Sequence, residues 1–391
     1  MGHQVSFPER TPERTLATSG DIEPKCPHFG VCGGCSLQHL APAEQISAKQ
    51  GTLEQNFADI GGLAPQTWFA PLTGPVWHYR RKARLSVRYV FKKERVLVGF
   101  RERAGRYVTN MSECHVLDDR VANQLPALSS LIASLDSYRR IPQLEVACGD
   151  EVASLVFRHL DPLPGSDVEK LRNFARESGI AVFLQPGGPD SIRPLEPGEI
   201  ELSYALPAYG LRIQFAPSDF IQVNGEMNRQ LVDRAVELLE PRSGDRILDL
   251  FCGLGNFTLP MAKGGAETVG VEGDAGLVAR ARDNAARNGI ETAGFHCADL
   301  TLDPGDAPWL LKPFDKVLVD PPRSGAQEML PHIAASGASR LLYVSCDPSS
   351  LARDAGMLVH DLGFALLGAG VMDMFPHTGH VESMALFERR V

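Results

Sequence analysis

A doubly wound α/β fold is predicted for the C-terminal part of this chain, behind a smaller α+β unit. Three observations carry that prediction. From about residue 218, short apolar runs alternate with helical segments, the grammar of a parallel sheet covered by helices on both faces. A glycine turn, Gly253-Leu254-Gly255, follows the first apolar run and opens a helix. Upstream, from Trp77 to Phe100, the stretch RKARLSVRYVFKKERVLVGF alternates with period two and is rich in β-branched and aromatic residues, which reads as strand. At 391 residues the chain has room for two or three such units.

The C-terminal elements follow in order. NGEMNRQLVDRAVELLE predicts a long helix, RILDL a strand, and the glycine turn leads into a helix at FTLPMA. TVGVE, GFHCADL, DKVLVD and RLLYVS predict four further strands, with a helix at GLVARARDNAARNG. FALLGAGVMDMF and VESMALFER lie close enough to form a hairpin, giving seven strands. In the middle, LEVACGDEVASLVFRHL and IAVFLQPGG read as strands flanking a helix at DVEKLRNFARESG. Nearer the N-terminus, LQHLAPAEQISAKQGTLEQNFADIGG reads as a helix stopped by Gly61-Gly62. The expected divisions are a flexible leader over 1–25, a cysteine segment and helix over 26–75, the α+β unit over 76–217 and the α/β unit over 218–391.

Composition narrows the function. Hydrophobic residues make up 43% and charged ones 22%, which excludes a disordered or collagen-like chain. The net charge of −9 argues against a surface that coats nucleic acid or membrane everywhere. The charge is unevenly spread, however. Residues 80–106 carry eleven Lys and Arg against Glu94 and Glu102, a local +9 that leaves −18 for the rest. Trp77, Tyr79, Tyr89, Phe91, Phe100 and Tyr107 interleave with those cations, and charge plus rings is what single-stranded RNA recognition needs. Arg80, Arg81, Lys82 and Arg84 are the expected RNA contacts there. No apolar stretch is long enough for a membrane helix, and the first 25 residues carry no secretory h-region. A cytoplasmic monomer with no membrane and no DNA partner is expected.

Eight cysteines are unevenly placed. Cys26, Cys32 and Cys35 crowd into PKCPHFGVCGGCSLQ, and Cys114 follows in MSECHVL. In a reducing compartment clustered thiols bind metal more often than they pair. Three close ligands with Cys114 as the fourth suit either a four-cysteine zinc site or an iron–sulfur cluster.

The glycine turn indicates the cofactor. A dinucleotide fingerprint needs a third glycine where this chain has Thr258, and Asp249 at the mouth repels a pyrophosphate. An acid there suits a ligand carrying an ammonium group, such as S-adenosylmethionine (SAM). Glu272, ending the next strand, is placed for the ribose hydroxyls, and Asp299, at the end of the third, for the adenine edge. Gly253 lets backbone approach the ligand. The predicted fold is thus a class I SAM-dependent methyltransferase, with a Rossmann-like seven-stranded sheet.

Asp320-Pro321-Pro322-Arg323 closes the fourth strand, with Arg323 where amino-group methyltransferases place an aromatic. Cys346 ends the fifth. Uracil C5 is a poor nucleophile until a thiolate adds to C6, so a cysteine facing the cofactor crevice has a role in covalent catalysis. Glu382, in HTGHVES, is the candidate base for the C5 proton. The plainer readings are a small buried hydrophobe for Cys346 and a surface glutamate for Glu382, and Cys252 is a rival nucleophile.

These residues resemble the RNA uracil-5-methyltransferases that form 5-methyluridine. The resemblance runs from Cys26 to the C-terminus through Phe220-x-Gln222-x-Asn224, the 249–257 loop, Asp320-Pro-Pro-Arg323-x-Gly325, Tyr343-Val-Ser-Cys346-Asp-Pro and His380-Val-Glu382. It implies Cys346 as nucleophile, Glu382 as base, and SAM contacts from Gln222, Phe251, Glu272 and Asp320. It implies a 4Fe–4S cluster on Cys26, Cys32, Cys35 and Cys114, favouring iron over zinc. Arg323 is a further expected RNA contact. Only 25 residues precede Cys26, too few for the β-barrel module of one ribosomal branch, so the resemblance implies the 23S rRNA (uracil747-C5) type. Methylation of another rRNA or tRNA site is the alternative, as is an iron–sulfur RNA-binding factor with an idle methyltransferase domain. A cytosine-5 enzyme is disfavoured because Pro322 is followed by Arg323, not cysteine.

Overall fold

The computed structural model describes residues 22–390, so the expected leader lies largely outside the described residues. Its strands are β1 (Thr67–Trp68), β2 (Lys82–Val90), β3 (Arg95–Gly99), β4 (Gln143–Cys148), β5 (Ala153–Arg158), β6 (Ala181–Gln185), β7 (Arg193–Pro194) and β8 (Ser203–Leu206). They continue as β9 (Leu211–Gln214), β10 (Arg246–Leu250), β11 (Glu267–Glu272), β12 (Ala293–Cys297), β13 (Lys316–Val319), β14 (Arg340–Ser345), β15 (Phe364–Met372) and β16 (Glu382–Arg389). Among the helices are α1 (Pro42–Asn56), α2 (Asp119–Ala122), α3 (Leu125–Ser134), α4 (Gly165–Ser178) and α5 (Gly225–Leu239). After them come α6 (Thr258–Lys263), α7 (Ala275–Arg287), α8 (Leu330–Ala335) and α9 (Pro348–His360).

The C-terminal sheet runs β1-β15-β16-β14-β13-β10-β11-β12. The seven expected strands are all present, and β15 and β16 form the expected antiparallel hairpin. The eighth, β1, joins the edge in parallel with β15. It fits because Phe69 packs over Gly368 and Gly370, where an added Cβ would run into the Phe69 ring at the first and lie 2.8 Å from its Cβ at the second. Strands β10, β13 and β14 are apolar and almost fully buried, as a sheet covered on both faces requires. The strand order reverses between β10 and β13, and α/β folds open their ligand crevice at that switch point, outside the carboxyl ends.

The middle sheet runs β3-β2-β4-β5-β6-β7. The sequence reading missed α2 and α3, although Asp118 caps α2 by accepting from Arg120 N, and Leu125, Leu128 and Ile132 line the buried face of α3. No strand is predicted between β7 and α5 either. A β8–β9 hairpin lies there, tied to α7 by Asn284 and Asn288, which bond the Gln214 and Arg212 backbone. No helix among the described residues is long and apolar enough to cross a membrane.

Candidate active site and cysteine centre

The carboxyl ends of β10, β11, β13 and β14 border the crevice, and their acidic groups act on one another there. After β10 the chain turns sharply: Phe251 has φ 63°, Gly253 φ 53° and Gly255 φ 87°. Left-handed backbone is strained for phenylalanine, so the turn is over-determined by its surroundings. One tie is Glu272 at the end of β11, whose carboxylate accepts from Gly253 N at 3.1 Å and from Asp274 N at 3.0 Å. Two of its lone-pair positions remain for a ligand.

Asp249, inside β10, is fully buried. One of its oxygens accepts from Thr258 Oγ1 at 2.5 Å, while Oδ1 has no partner among the described residues. Burial pushes its carboxyl up to about 7, and Asp320 and Glu272 add to the rise. Asp320 follows β13, held by its N–H on Leu250 O, and burial pushes it to about 7 as well. Several acids crowded round an orphaned oxygen form a site that awaits positive charge, which fits the sulfonium and ammonium of SAM.

The outer positions are less engaged. Gln222 is half-buried in the extended segment before α5, whose N-cap Asn224 accepts from Met227 N. Asp299 lies two residues beyond the end of β12, exposed, with its Oδ1 occupied by Thr301. Those bonds hold it below the usual carboxylate range.

Cys346 and Glu382 come together on the other side of Asp320. Burial, then Glu382 and Asp320, raise the Cys346 thiol to about 11 against the pull of Arg323. Glu382, 9% exposed, is pushed to about 8 by burial, then by Asp320, against the pull of Arg323 and Lys49. Arg323 is exposed and reaches His380 Nδ1 at 3.2 Å. Cys252, the rival nucleophile, is buried beside the glycine turn, and its N–H is held by Val271 O.

The cysteine segment forms a second centre. Gly33 N donates to Arg101 O at 2.8 Å and Arg103 N to Val31 O, stitching the segment to the chain beyond β3. A Cβ on Gly33 would lie 2.8 Å from Arg101 O, so this approach needs glycine. Cys26, Cys32, Cys35 and Cys114 line one small cavity with Phe29, Phe100, Met111 and Val116, and no carboxylate lines it. Burial raises all four thiols, Cys35 to about 12 and Cys114 to about 11. Thiolates sharing one zinc lie about 3.8 Å apart, from 2.3 Å bonds at the tetrahedral angle. Among the described residues no three Cys, His, Asp or Glu side chains are placed to hold a single ion. His28, Gln38 and His115 complete the lining, and four thiols with no carboxylate make a soft donor set of the kind an iron–sulfur centre uses.

The expected RNA contacts divide. Arg81 pairs with Asp150 at 3.2 Å and covers Gly225, and Lys82 donates to Pro217 O, both against protein. Arg84 is exposed and pairs with Glu145 at 2.9 Å. Arg80 lies over Phe100 and opens on a groove of about 570 Å³ with Arg101, Arg103, Ser36, Gly379 and His380. Arg101 and Arg103 are the exposed cations of that wall, which sequence reading counted but did not single out.

Fold and acid-lined turn together define a class I, SAM-dependent methyltransferase. The tRNA (uracil-5-)-methyltransferase family matches residues 41–297 and 311–390, and the chain belongs to that family. It is 55% identical over 369 residues to the 23S rRNA (uracil(1939)-C(5))-methyltransferase RlmD of Alkalilimnicola ehrlichii, across 94% of this chain and 83% of that protein. It is 52% identical to the protein of the same name from Xanthomonas axonopodis pv. citri, across 99% and 85%. In structure it is similar to Pyrococcus abyssi tRNA (uracil-54, C5)-methyltransferase in complex with S-adenosyl-L-homocysteine, at TM-score 0.70 and 24% identity over 90% of this chain and 85% of that one.

Proposed function

We propose that this protein methylates C5 of a uridine in 23S rRNA, with Cys346 as nucleophile and Glu382 as base. The pairing of a half-buried thiol with a buried carboxyl at adjoining strand ends carries the reading. The Cys346 thiolate adds to C6 and makes C5 nucleophilic. Bound SAM supplies the methyl group that C5 takes up. Glu382 then accepts the C5 proton, the C6–Sγ bond breaks and the thiolate leaves. Asp249, Glu272, Asp320, Phe251, Gly253, Gln222 and Asp299 are the residues assigned to SAM. Because Cys346 must approach C6 from the face of the ring, the uridine has to be flipped out of any stack.

The expected target position changes. Position 747 rested on the number of residues before Cys26, whereas the curated relatives, at 52–55% identity, are named for 1939. We assign the 1939 type. A 4Fe–4S cluster on Cys26, Cys32, Cys35 and Cys114 belongs to the same reading, supported by the shared cavity of the four thiols. The RNA path is assigned to the groove of Arg80, Arg101, Arg103 and His380, with Arg323 at its active-site end.

The test offers the purified protein three transcripts with labelled SAM: 23S fragments spanning 1939 or 747, and a tRNA. Label at C5 of uridine 1939 supports the assignment. Label at 747 or in tRNA overturns the position, and label in none overturns the activity.

A further inference from the structure

The loop between β15 and β16 delivers Glu382, yet residues from the N-terminal segment hold it. Gln45, Lys49 and Leu53 form the buried stripe of α1, spaced four apart. Gln45 Oε1 accepts from His377 N at 2.7 Å, and its amide nitrogen reaches His377 Nδ1 at 3.1 Å. Lys49 Nζ, its side chain 2% exposed, pairs with Asp373, 4% exposed, at 2.6 Å and donates to Phe375 O at 3.0 Å. Ser36 and Leu37 give both their N–H groups to His377 O, Tyr79 donates its hydroxyl to Pro376 O, and Trp77 stacks on the His377 ring at 4.0 Å.

A buried ion pair is a weak source of stability, because desolvating two charges offsets most of their attraction. This one lies beside the candidate base. We propose that Lys49, held by Asp373, is a positioning residue for Glu382 that fixes the base loop and sets a positive charge behind the carboxyl that removes the C5 proton. The inference rests on the reading of Glu382 as base.

Asp320 after β13 opposes the ionisation of Glu382, while Arg323 in the following loop and Lys49 from α1 favour it. Glu382 in turn raises the Cys346 thiol after β14. Lys49 also acts on His377 and His380, disfavouring their protonation. Of the two cations, Arg323 is exposed and screened by solvent, whereas Lys49 is buried and screened little. Proton removal needs the carboxylate, so turnover rises with pH through the Glu382 titration. Removing the Lys49 charge makes the carboxylate harder to form and moves that limb to higher pH.

The experiment uses Lys49→Met and the double variant Lys49→Met/Asp373→Leu. The double variant guards against misfolding, since replacing both members of a buried pair by apolar residues is commonly tolerated where removing one is not. For each, turnover is followed against pH on the 23S fragment, alongside adduct formation on the same RNA carrying 5-fluorouridine. The fluorinated adduct forms before any C5 proton is lost, so it reports the fold and the nucleophile alone. The expected result is a limb raised by about one pH unit, hence turnover about tenfold lower near pH 7, with adduct formation at the parental rate. A folded double variant whose limb has not moved overturns the proposal, as does loss of adduct in step with turnover. If Glu382→Gln turns over normally, the assignment of Glu382 itself fails, a different outcome from either.

Discussion

Cys346 and Glu382 each adjoin the Ser345–Ser383 pair that ends the β14–β16 ladder, Cys346 in the bend after β14 and Glu382 at the start of β16. The antiparallel pairing thus delivers thiol and carboxyl to the same end of the two strands, close enough for Glu382 to act on the thiol. Glu382 raises the proton affinity of the Cys346 thiol, because two neighbouring negative charges are unfavourable. That antagonism suits their order of use. Once the thiolate has bonded to C6 its charge has moved into the pyrimidine, and Glu382 is released to act as a base.

Glu382→Gln is therefore expected to separate the two halves of the reaction. Attack and methyl transfer proceed, but elimination stalls, and protein–RNA complex carrying the methyl group accumulates on ordinary uridine RNA. Cys346→Ala forms no complex, even with 5-fluorouridine. Denaturing gels of labelled RNA distinguish the two variants, and adduct on the alanine variant would remove Cys346 from its role.

Cofactor binding is expected to release protons near neutral pH. Asp249 and Asp320 are both raised to about 7 by burial, so each is partly protonated at pH 7 in the free protein. A ligand with net positive charge favours the ionised forms, so SAM affinity should rise as pH increases from 6 to 8. Calorimetry in buffers of differing ionisation enthalpy measures the release, and a pH-independent affinity with none would contradict the geometry. The same shift has a stability consequence. A carboxyl raised in the folded state costs stability as pH rises from its ordinary 3.8 through about 7. Asp249→Asn should therefore raise the melting temperature of the free protein at pH 8 while weakening SAM binding. The gain is bounded by about 4 kcal/mol, roughly three units at 1.36 kcal/mol each, less the weakened Thr258 bond.

Protein purified without air is expected to be brown, with stoichiometric iron and sulfide. Cys114→Ser should lose the colour and melt lower, because Cys114 draws the chain before α2 onto the cysteine segment. Cys148→Ser should keep it, since Cys148 ends β4 in the middle sheet and lies outside the cavity. Colourless protein with bound zinc would replace the cluster by a mononuclear site.

What was legible in the sequence is what local chemistry dictates. Strands buried on both faces announce themselves as apolar runs, and Cys346 and Glu382 were found because reactive side chains at strand ends have few other uses. What was hidden depends on partners far along the chain. Arg81 and Lys82 look like surface cations until Asp150 and Pro217 O are brought to them. Gln45 and Lys49 break the apolar stripe of α1, and only the loop more than 320 residues later explains why they are inside. Strand β1 is two residues long and exists because the β15 edge accepts it.

That division of the arginines makes the last prediction. Arg101→Ala and Arg103→Ala remove exposed cations from the groove wall without touching the core, so melting temperature should hold while RNA affinity falls. Each phosphate no longer neutralised should flatten the slope of log affinity against log salt by about 0.7. Arg81→Ala should do the reverse. It leaves Asp150 with Arg229 as its remaining ion-pair partner among the described residues and empties the space above Gly225, lowering stability by about 1–2 kcal/mol with the salt slope unchanged. Filter binding across a salt series, read beside thermal melts, separates the two behaviours. An Arg81 variant that melts normally and loses salt dependence would put that residue back on the RNA.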